Sequence, residues 1–180
     1  TYSLASAATA GFTDTLRDSY RLISQALLRG LERMGLSARL AESSPPAYVR
    51  GTMPCFAFPA RDEIEIGGRK IVGSAQKRTG PLFLQHGLII LDKDEALLAA
   101  VFRPGETPES LGMTSLSEAL GRPGALDGAV GPLVQGFADY FGVGFERFTL
   151  AGADLAAVRA IETARYGADA WTFRRGPASR

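Results

Sequence analysis

The fold is decided by one stretch of sequence, EIEIGGRKIVGSAQKRTGPLFLQHGLII, which spans residues 63–90. Its first four residues alternate with a period of two, and the Gly-Gly pair at 67–68 is typical of a two-residue hairpin turn. Residues 69–76 then read as the returning strand, residues 79–81 as a second turn, and residues 82–91 as a third strand. The stretch therefore predicts three consecutive antiparallel strands.

Helical periodicity surrounds these strands, because apolar residues recur at intervals of three and four on both sides of them. Amphipathic helices are predicted at residues 16–34, 93–102, 127–142 and 153–166, with a short helix after the capping-box sequence at 114–118. A weak strand is expected at 37–42 and an edge strand at 145–150. The pattern predicts the α+β class, a mixed or antiparallel sheet with packed helices, in a single domain over residues 1–180.

Composition narrows the classes of function. The chain has 180 residues, 46% of them hydrophobic and 22% charged, which is typical of a globular protein. With 20 Lys and Arg against 19 Asp and Glu, the net charge of +1 gives no reason to expect binding to nucleic acid or to an anionic membrane. The single cysteine cannot form an internal disulfide and fits a reducing compartment, so we expect a cytoplasmic protein.

Three side chains that could carry chemistry surround the predicted hairpin. Cys55 lies in a loop bracketed by prolines, Lys70 begins the second strand, and His86 is the only histidine. A cysteine thiolate is a nucleophile that a nearby cation favours, and a fixed lysine can stabilise negative charge that develops on a carbonyl oxygen. The small residues at 73–75 would let a ligand lie against the backbone.

Each of these residues also has a structural explanation. A cysteine beside Phe56 is more often a buried apolar residue, a lysine next to a Gly-Gly turn is normally solvated, and a single histidine on an apolar strand is more often a structural donor. Alternation makes Glu63 and Glu65 solvent-facing residues on one side of the first strand. One cysteine and one histidine cannot supply three metal ligands unless carboxylates contribute, so we predict no metal site.

The combination of motifs resembles a known family. Cys-Phe at 55–56, GGRKIVGSAQKR at 67–78 and Gln-His-Gly at 85–87 together resemble the lipoate/biotin protein ligase superfamily. They are most similar to its branch of lipoate–protein ligase A and the octanoyltransferases with a cysteine loop, and flanking segments from residue 1 to residue 175 agree. The family's Arg-Arg-x-x-Gly-Gly…His segment does not occur in these 180 residues, so we expect the N-terminal part of the family fold to be missing.

The resemblance implies a role for each site residue. It makes Cys55 the nucleophile that carries the acyl group and Lys70 the contact of the acyl carbonyl. It makes the following residues the lining of the acyl pocket: Gly73, Ser74, Ala75, His86 and Gly87.

The resemblance also implies an activity and its partners. An octanoyl or lipoyl group would move from acyl carrier protein through a Cys55 thioester to a lysine of a lipoyl domain, such as glycine-cleavage H protein or the E2 subunit of a 2-oxoacid dehydrogenase. This transfer needs no cofactor. One alternative is a ligase that uses ATP and Mg²⁺ to form lipoyl-AMP, and another is a non-catalytic module that binds a lipoyl domain or an acyl group. Cys55 decides between the transferase and the ligase, since a ligase does not need a nucleophile there.

Overall fold

The computed structural model describes residues 1–7, 12, 15–46, 56–101 and 112–173. Cys55 and the arginines at 174–175 lie outside the described residues. The chain divides into two compact units, Thr1–Gly144 and Phe145–Arg180. The assignment of all 180 residues to one catalytic domain stays a prediction.

The first unit contains a five-stranded antiparallel sheet. Its strands are β1 (Tyr2–Ala7), β2 (Arg39–Leu40), β3 (Ile64–Ile66), β4 (Arg69–Thr79) and β5 (Leu82–Ile89), in the spatial order β1-β5-β4-β3-β2. Gly67 and Gly68 turn the chain between β3 and β4 with φ values of 58° and 78°, a left-handed conformation that glycine adopts without strain. The three consecutive strands predicted from the sequence are confirmed.

A β-bulge at the start of β4 determines which side chains share a face of the sheet. Val72 lies opposite Ile64, whereas Lys70 lies opposite Glu65, so Ile71 is one residue more than the β3 ladder needs. Opposed residues of neighbouring strands point to the same face, and successive paired residues alternate. Lys70 therefore lies on the same face as Gly73, although an odd number of positions separates them.

The two faces of the sheet can be named from this register. The open face carries Lys70, Gly73 and Ala75 of β4, Leu84, His86 and Leu88 of β5, and Ser3 and Ala5 of β1. The helix face carries Val72, Ser74 and Gln76 of β4, Gln85 and Gly87 of β5, and Tyr2 of β1. The two faces therefore divide the predicted lining residues between them.

Six α-helices are described, four of them in the first unit. They are α1 (Leu16–Arg33), α2 (Glu95–Val101), α3 (Leu116–Leu120), α4 (Leu126–Phe141), α5 (Gly152–Ile161) and α6 (Asp169–Thr172), and a π-helical turn, Glu162–Tyr166, follows α5. The predicted capping box is confirmed at α3, where Ser115 and Glu118 exchange hydrogen bonds with each other's backbone N–H. No helix in the described part of the chain is both long enough and apolar enough to span a membrane.

The core of the first unit lies between the helix face and α1. Ile23, Leu27 and Leu31 of α1 are fully buried against Ile64 and Val72 of the sheet. Helix α4 approaches α1 so closely that a Cβ on Gly30 would lie 2.7 Å from the Cα of Leu133. The packing of α1 and α4 leaves the open face of the sheet uncovered by these two helices.

The predicted edge strand at 145–150 is wrong. Residues 143–150 form no strand, and all of them are exposed. Alternation of apolar and polar residues indicates an extended backbone, but a strand also needs a neighbour with which to pair. Along these residues the second unit supplies none within its described part, which consists of α5, the π-helical turn and α6.

Candidate functional site

Lys70 forms a buried ion pair with Glu63 on the open face. Lys70 is 3% exposed and Glu63 is 6% exposed, and the Lys70 Nζ lies 2.8 Å from each oxygen of the Glu63 carboxylate. The backbone N–H of Ala60 donates a second hydrogen bond to Glu63 Oε2, at 2.7 Å. The ring of Phe56 contacts the ammonium from another side, with Nζ 4.7 Å from the ring centroid. The lysine head group is therefore enclosed, and its charge is compensated.

The backbone of Lys70 is fixed as firmly as its side chain. Its N–H donates to the carbonyl of Gly112 at 2.7 Å, and its carbonyl accepts from the N–H of Thr114 at 2.9 Å. The segment around Met113 thus pairs with β4 at the bulge, where β3 leaves Ile71 unpaired. These contacts fix the direction in which the lysine side chain leaves the strand.

The structure corrects the expectation that Lys70, Glu63 and Glu65 are solvated. All three are buried, and Glu65 pairs with the Nε of Arg39 at 2.6 Å. The physical reason is the register: β2 and β4 flank β3, so each carboxylate has a cation on the adjacent strand or turn. A buried charge is tolerated when it is paired and hydrogen-bonded, as both carboxylates are.

Gly73 makes room for the group that covers Lys70. A Cβ at this position would lie 2.6 Å from Cζ of Phe56 and 3.2 Å from Cε of Lys70. Any side chain here would push the aromatic ring off the strand or displace the lysine. Gly73, which the resemblance assigns to the pocket lining, therefore lies against the Phe56 ring and the Lys70 side chain.

The rest of the open face is accessible, and it combines apolar side chains with Ser3, Lys77 and His86. Leu84 is 47% exposed and Leu88 is 43% exposed, and Ala75 lies opposite His86 on the neighbouring strand. His86 is also exposed, and its Nδ1 is 2.8 Å from the hydroxyl of Ser3. Lys70, Gly73, Ala75 and His86 thus share one face of the sheet, and the enclosed Lys70–Glu63 pair lies on that face together with the accessible side chains of Leu84 and Leu88.

Ser74 and Gly87 lie on the opposite side of the sheet. The hydroxyl of Ser74 is 2.7 Å from the phenol oxygen of Tyr2, which also accepts a hydrogen bond from Gln85 at 2.9 Å. A Cβ on Gly87 would lie 2.8 Å from Cζ of Tyr2, so this glycine leaves space for the ring. Burial raises the pKa of Tyr2 despite the hydrogen bonds from Ser74 and Gln85, so the phenol stays protonated. The Ser74 hydroxyl and the space that Gly87 leaves thus serve the packing of Tyr2 on the helix face.

Glu63 is the member of the site that sequence reasoning missed. The structure shows why: Glu63 follows directly on Asp62, the only described non-glycine residue with a positive φ, at 67°, and its partner Lys70 lies seven residues further along the chain. Such a residue marks a tight turn, which can bury the start of a strand. Among the described residues, no group of three or more His, Cys, Asp or Glu side chains could hold a metal ion.

Comparisons with known proteins identify the family and the fold of the chain. The family model of the lipoyl protein ligase A/B catalytic domain matches residues 1–138. Octanoyltransferase LipM of Geobacillus kaustophilus is 33% identical over 174 residues, which cover 89% of this chain and 63% of that protein. The chain spans less than two thirds of the length of the curated relatives it matches.

Two solved structures share the fold. Lipoate-protein ligase A bound with ATP matches with a TM-score of 0.75 at 20% identity, over 96% of this chain and 64% of that one. A bi-partite lipoate protein ligase from Thermoplasma acidophilum, described together with its E2 lipoyl domain, matches with a TM-score of 0.70 at 17% identity, over 98% of this chain and 65% of that one. The expected α+β fold is confirmed.

Proposed function

The chain belongs to the lipoyl protein ligase A/B catalytic domain family, and from that premise we propose that it transfers octanoyl groups from acyl carrier protein to a lysine of a lipoyl domain. The observation that carries the proposal is the position of Lys70, whose ammonium is held by Glu63 beneath Phe56 on the same face as the accessible side chains of Leu84 and Leu88. A saturated acyl chain needs an apolar surface, and its thioester carbonyl needs a hydrogen-bond donor at one end. The similarity to octanoyltransferases supports the same assignment.

In the first half of the proposed reaction, the Cys55 thiolate attacks the thioester carbonyl of the donor. A new bond forms between its sulfur and the acyl carbon, and the carrier's thiolate leaves with the electrons of the old thioester bond. Negative charge develops on the carbonyl oxygen, and the Lys70 ammonium stabilises this oxyanion. Glu63 holds the ammonium in place while it does so. Phe56, the residue bonded to Cys55, contacts Lys70, which supports placing thiol and amine in one site.

In the second half, the amine of the acceptor lysine attacks the Cys55 thioester. An amide bond forms, the Cys55 thiolate leaves, and the proton that the amine loses returns to the sulfur. One thioester is exchanged for another and then for an amide, so no cofactor is required. The acyl chain lies along Ala75, Leu84 and Leu88 of the open face. A nucleophilic thiolate works in a reducing compartment, which supports a cytoplasmic location.

The test is a mass measurement on the purified chain. Incubation with octanoyl–acyl carrier protein is expected to add one octanoyl group that hydroxylamine removes. Because Cys55 is the only cysteine, a thioester can form only there. Cys55→Ala should gain nothing, and Lys70→Ala should acylate far more slowly than the wild type. Equal acylation of Cys55→Ala and wild type, or none in either, would refute the transferase.

The same sample distinguishes the other activities. Lipoate-dependent release of pyrophosphate from ATP would identify a ligase instead. Binding of an apo lipoyl domain with neither reaction would identify a non-catalytic module. Addition of a lipoyl domain to acylated wild type should move the octanoyl group to the domain's lysine and restore the free thiol.

A further inference from the structure

A depression lined by four arginines lies at the β2 edge of the sheet. Arg17 and Arg21 come from the first turns of α1, Arg39 from β2, and Arg61 from the segment before β3. The depression has a volume of about 420 Å³. The arginine side chains around it are strongly exposed: Arg17, Arg21 and Arg39 show 62%, 58% and 73% of their area to solvent. Four guanidinium groups around one concave surface are unusual in a chain whose net charge is only +1.

The arginines are held by their Nε atoms. Arg17 and Arg21 approach the two oxygens of Asp62 at 3.3 and 3.9 Å, and Arg61 donates to the carbonyl of Glu42 at 2.8 Å. The Nε of Arg39 pairs with a carboxylate oxygen of Glu65 at 2.6 Å. In the described part of the chain, the Nη groups of these four side chains have no hydrogen-bond partner.

The countercharges are mostly withdrawn from solvent. The side chains of Asp62 and Glu65 are only 12% and 8% exposed, and Glu42 is the one exposed carboxylate in the lining. The accessible surface of the depression is therefore cationic. Clustered guanidinium groups with unengaged planar donors match the geometry of a phosphate.

The depression lies on the α1 side of the β2 edge, and its lining residue Arg39 shares a face of the sheet with Lys70. Arg39, Glu65 and Lys70 lie in register across the neighbouring strands β2, β3 and β4. Neighbouring strands are about 4.8 Å apart, so the Cα atoms of Arg39 and Lys70 are separated by about 10 Å. Arg61 and Asp62 also precede Glu63 directly in sequence. A ligand held at the arginines would pass around the β2 edge at Arg39 and cross β3 to reach the part of the open face where Lys70 lies enclosed.

We propose that this depression binds the phosphodiester of the phosphopantetheine arm of the acyl carrier protein. The inference rests on the proposed function, because that function supplies a donor whose acyl group is carried on such an arm. The arm carries its phosphate at the end attached to the carrier protein and its thioester at the opposite end. The site has the same order, with the arginines at the β2 edge and Lys70 two strands further into the sheet. The acceptor, a lipoyl domain, presents a lysine and no phosphate. The proposed phosphate site therefore serves the donor and not the acceptor.

Binding measurements with holo and apo acyl carrier protein test the proposal without any acyl transfer. The wild-type chain should bind the holo form more tightly than the apo form, which lacks the arm. Arg21→Gln combined with Arg61→Gln should weaken holo binding by about tenfold or more and remove the preference for the holo form. These two arginines are chosen because Arg17 remains to pair with Asp62.

A matched control lies on the same helix. Arg29 and Arg33 are also exposed and paired, with Glu32 at 3.0 Å and Asp139 at 2.7 Å, but they border a different surface. Arg29→Gln combined with Arg33→Gln should leave holo binding within about twofold of wild type. Equal loss in both double variants would overturn the proposal, as would equal affinity of the wild type for holo and apo carrier.

Donors without the carrier protein distinguish recognition of the phosphate from recognition of the carrier's protein surface. Acylation of Cys55 by octanoyl-phosphopantetheine should show a lower KM than acylation by octanoyl-pantetheine, and Arg21→Gln with Arg61→Gln should abolish this difference. An equal KM for both donors in the wild type would refute phosphate recognition. If no donor acylates Cys55, the proposed function is refuted. The comparison of holo and apo binding still tests whether the arginines bind the phosphate.

Discussion

Glu63→Gln is the substitution that tests the buried ion pair most directly. The carboxylate accepts from two donors, the Lys70 ammonium and the Ala60 N–H. Glutamine has the same shape but only one acceptor oxygen, and its NH₂ group can only donate. Either Ala60 or Lys70 must then face another donor, and in both cases the ammonium stays buried without a countercharge from this position.

The magnitude follows from the burial of both partners. At 3% and 6% exposure, solvent screens the pair very little. Removing one partner of a buried pair costs about 3–5 kcal/mol of unfolding free energy. For a domain of this size, that loss lowers Tm by about 6–20 °C. We expect Glu63→Gln to lie at the lower end, because one acceptor oxygen remains.

Chemical and thermal unfolding of a double-mutant cycle measures this coupling. Lys70→Met removes the charge and keeps an apolar stem of similar length, and the double variant Glu63→Gln, Lys70→Met no longer buries an unpaired ion. The double variant should therefore be more stable than the sum of the two single losses predicts, by about 2 kcal/mol. A Glu63→Gln loss below about 0.5 kcal/mol, or additive single losses, would show that the pair does not hold the site together.

Three further substitutions probe the scaffold. Gly87→Ala should cost about 1–3 kcal/mol in urea unfolding, because the new Cβ meets the ring of Tyr2, and unchanged stability would contradict the packing described. Ser115→Ala removes the N-cap of α3 and should cost about 1 kcal/mol in the same assay, whereas a neutral result would show that the cap is dispensable. Burial opposes the ionisation of Glu118, but hydrogen bonds and charge from Lys93 outweigh it and lower its pKa. Glu118 therefore stabilises the fold above its unfolded pKa, and this stabilisation is lost as the pH falls through the folded pKa. Glu118→Gln should flatten the acid side of a curve of unfolding free energy against pH, measured between about pH 7 and pH 3. An unchanged slope would contradict this role of Glu118.

The sheet was predictable because its signals are local. The Gly-Gly turn and the alternation on both sides of it specify a hairpin without help from the rest of the chain. The capping box at Ser115 and Glu118 is local in the same sense. Helices α1 and α4 follow from apolar spacing alone, and their ends differ from the predicted ones by one residue or so.

The site was harder to predict because it depends on pairing across strands. Sequence alternation assigned Glu63 and Glu65 to solvent, since it does not reveal that Lys70 and Arg39 lie beside them. It also could not show that Lys70 lies on the same face as Gly73, because the phase of alternation changes at Ile71. The resemblance to a family supplied Lys70 as a site residue, and the contacts of Lys70 then brought Glu63 and Phe56 into the site.

The surplus residue at Ile71 also governs how this strand tolerates insertions and deletions. The β3 ladder does not use Ile71, so deletion of this one residue would leave Lys70 on the same face relative to β3. The cost of such a loss falls on the core, where Ile71 is fully buried. A one-residue deletion among the paired positions 72–76 would instead invert the faces of one part of the strand relative to the other. A one-residue deletion in this strand therefore keeps the lysine on its face relative to β3 at Ile71, whereas a deletion among the following paired residues does not.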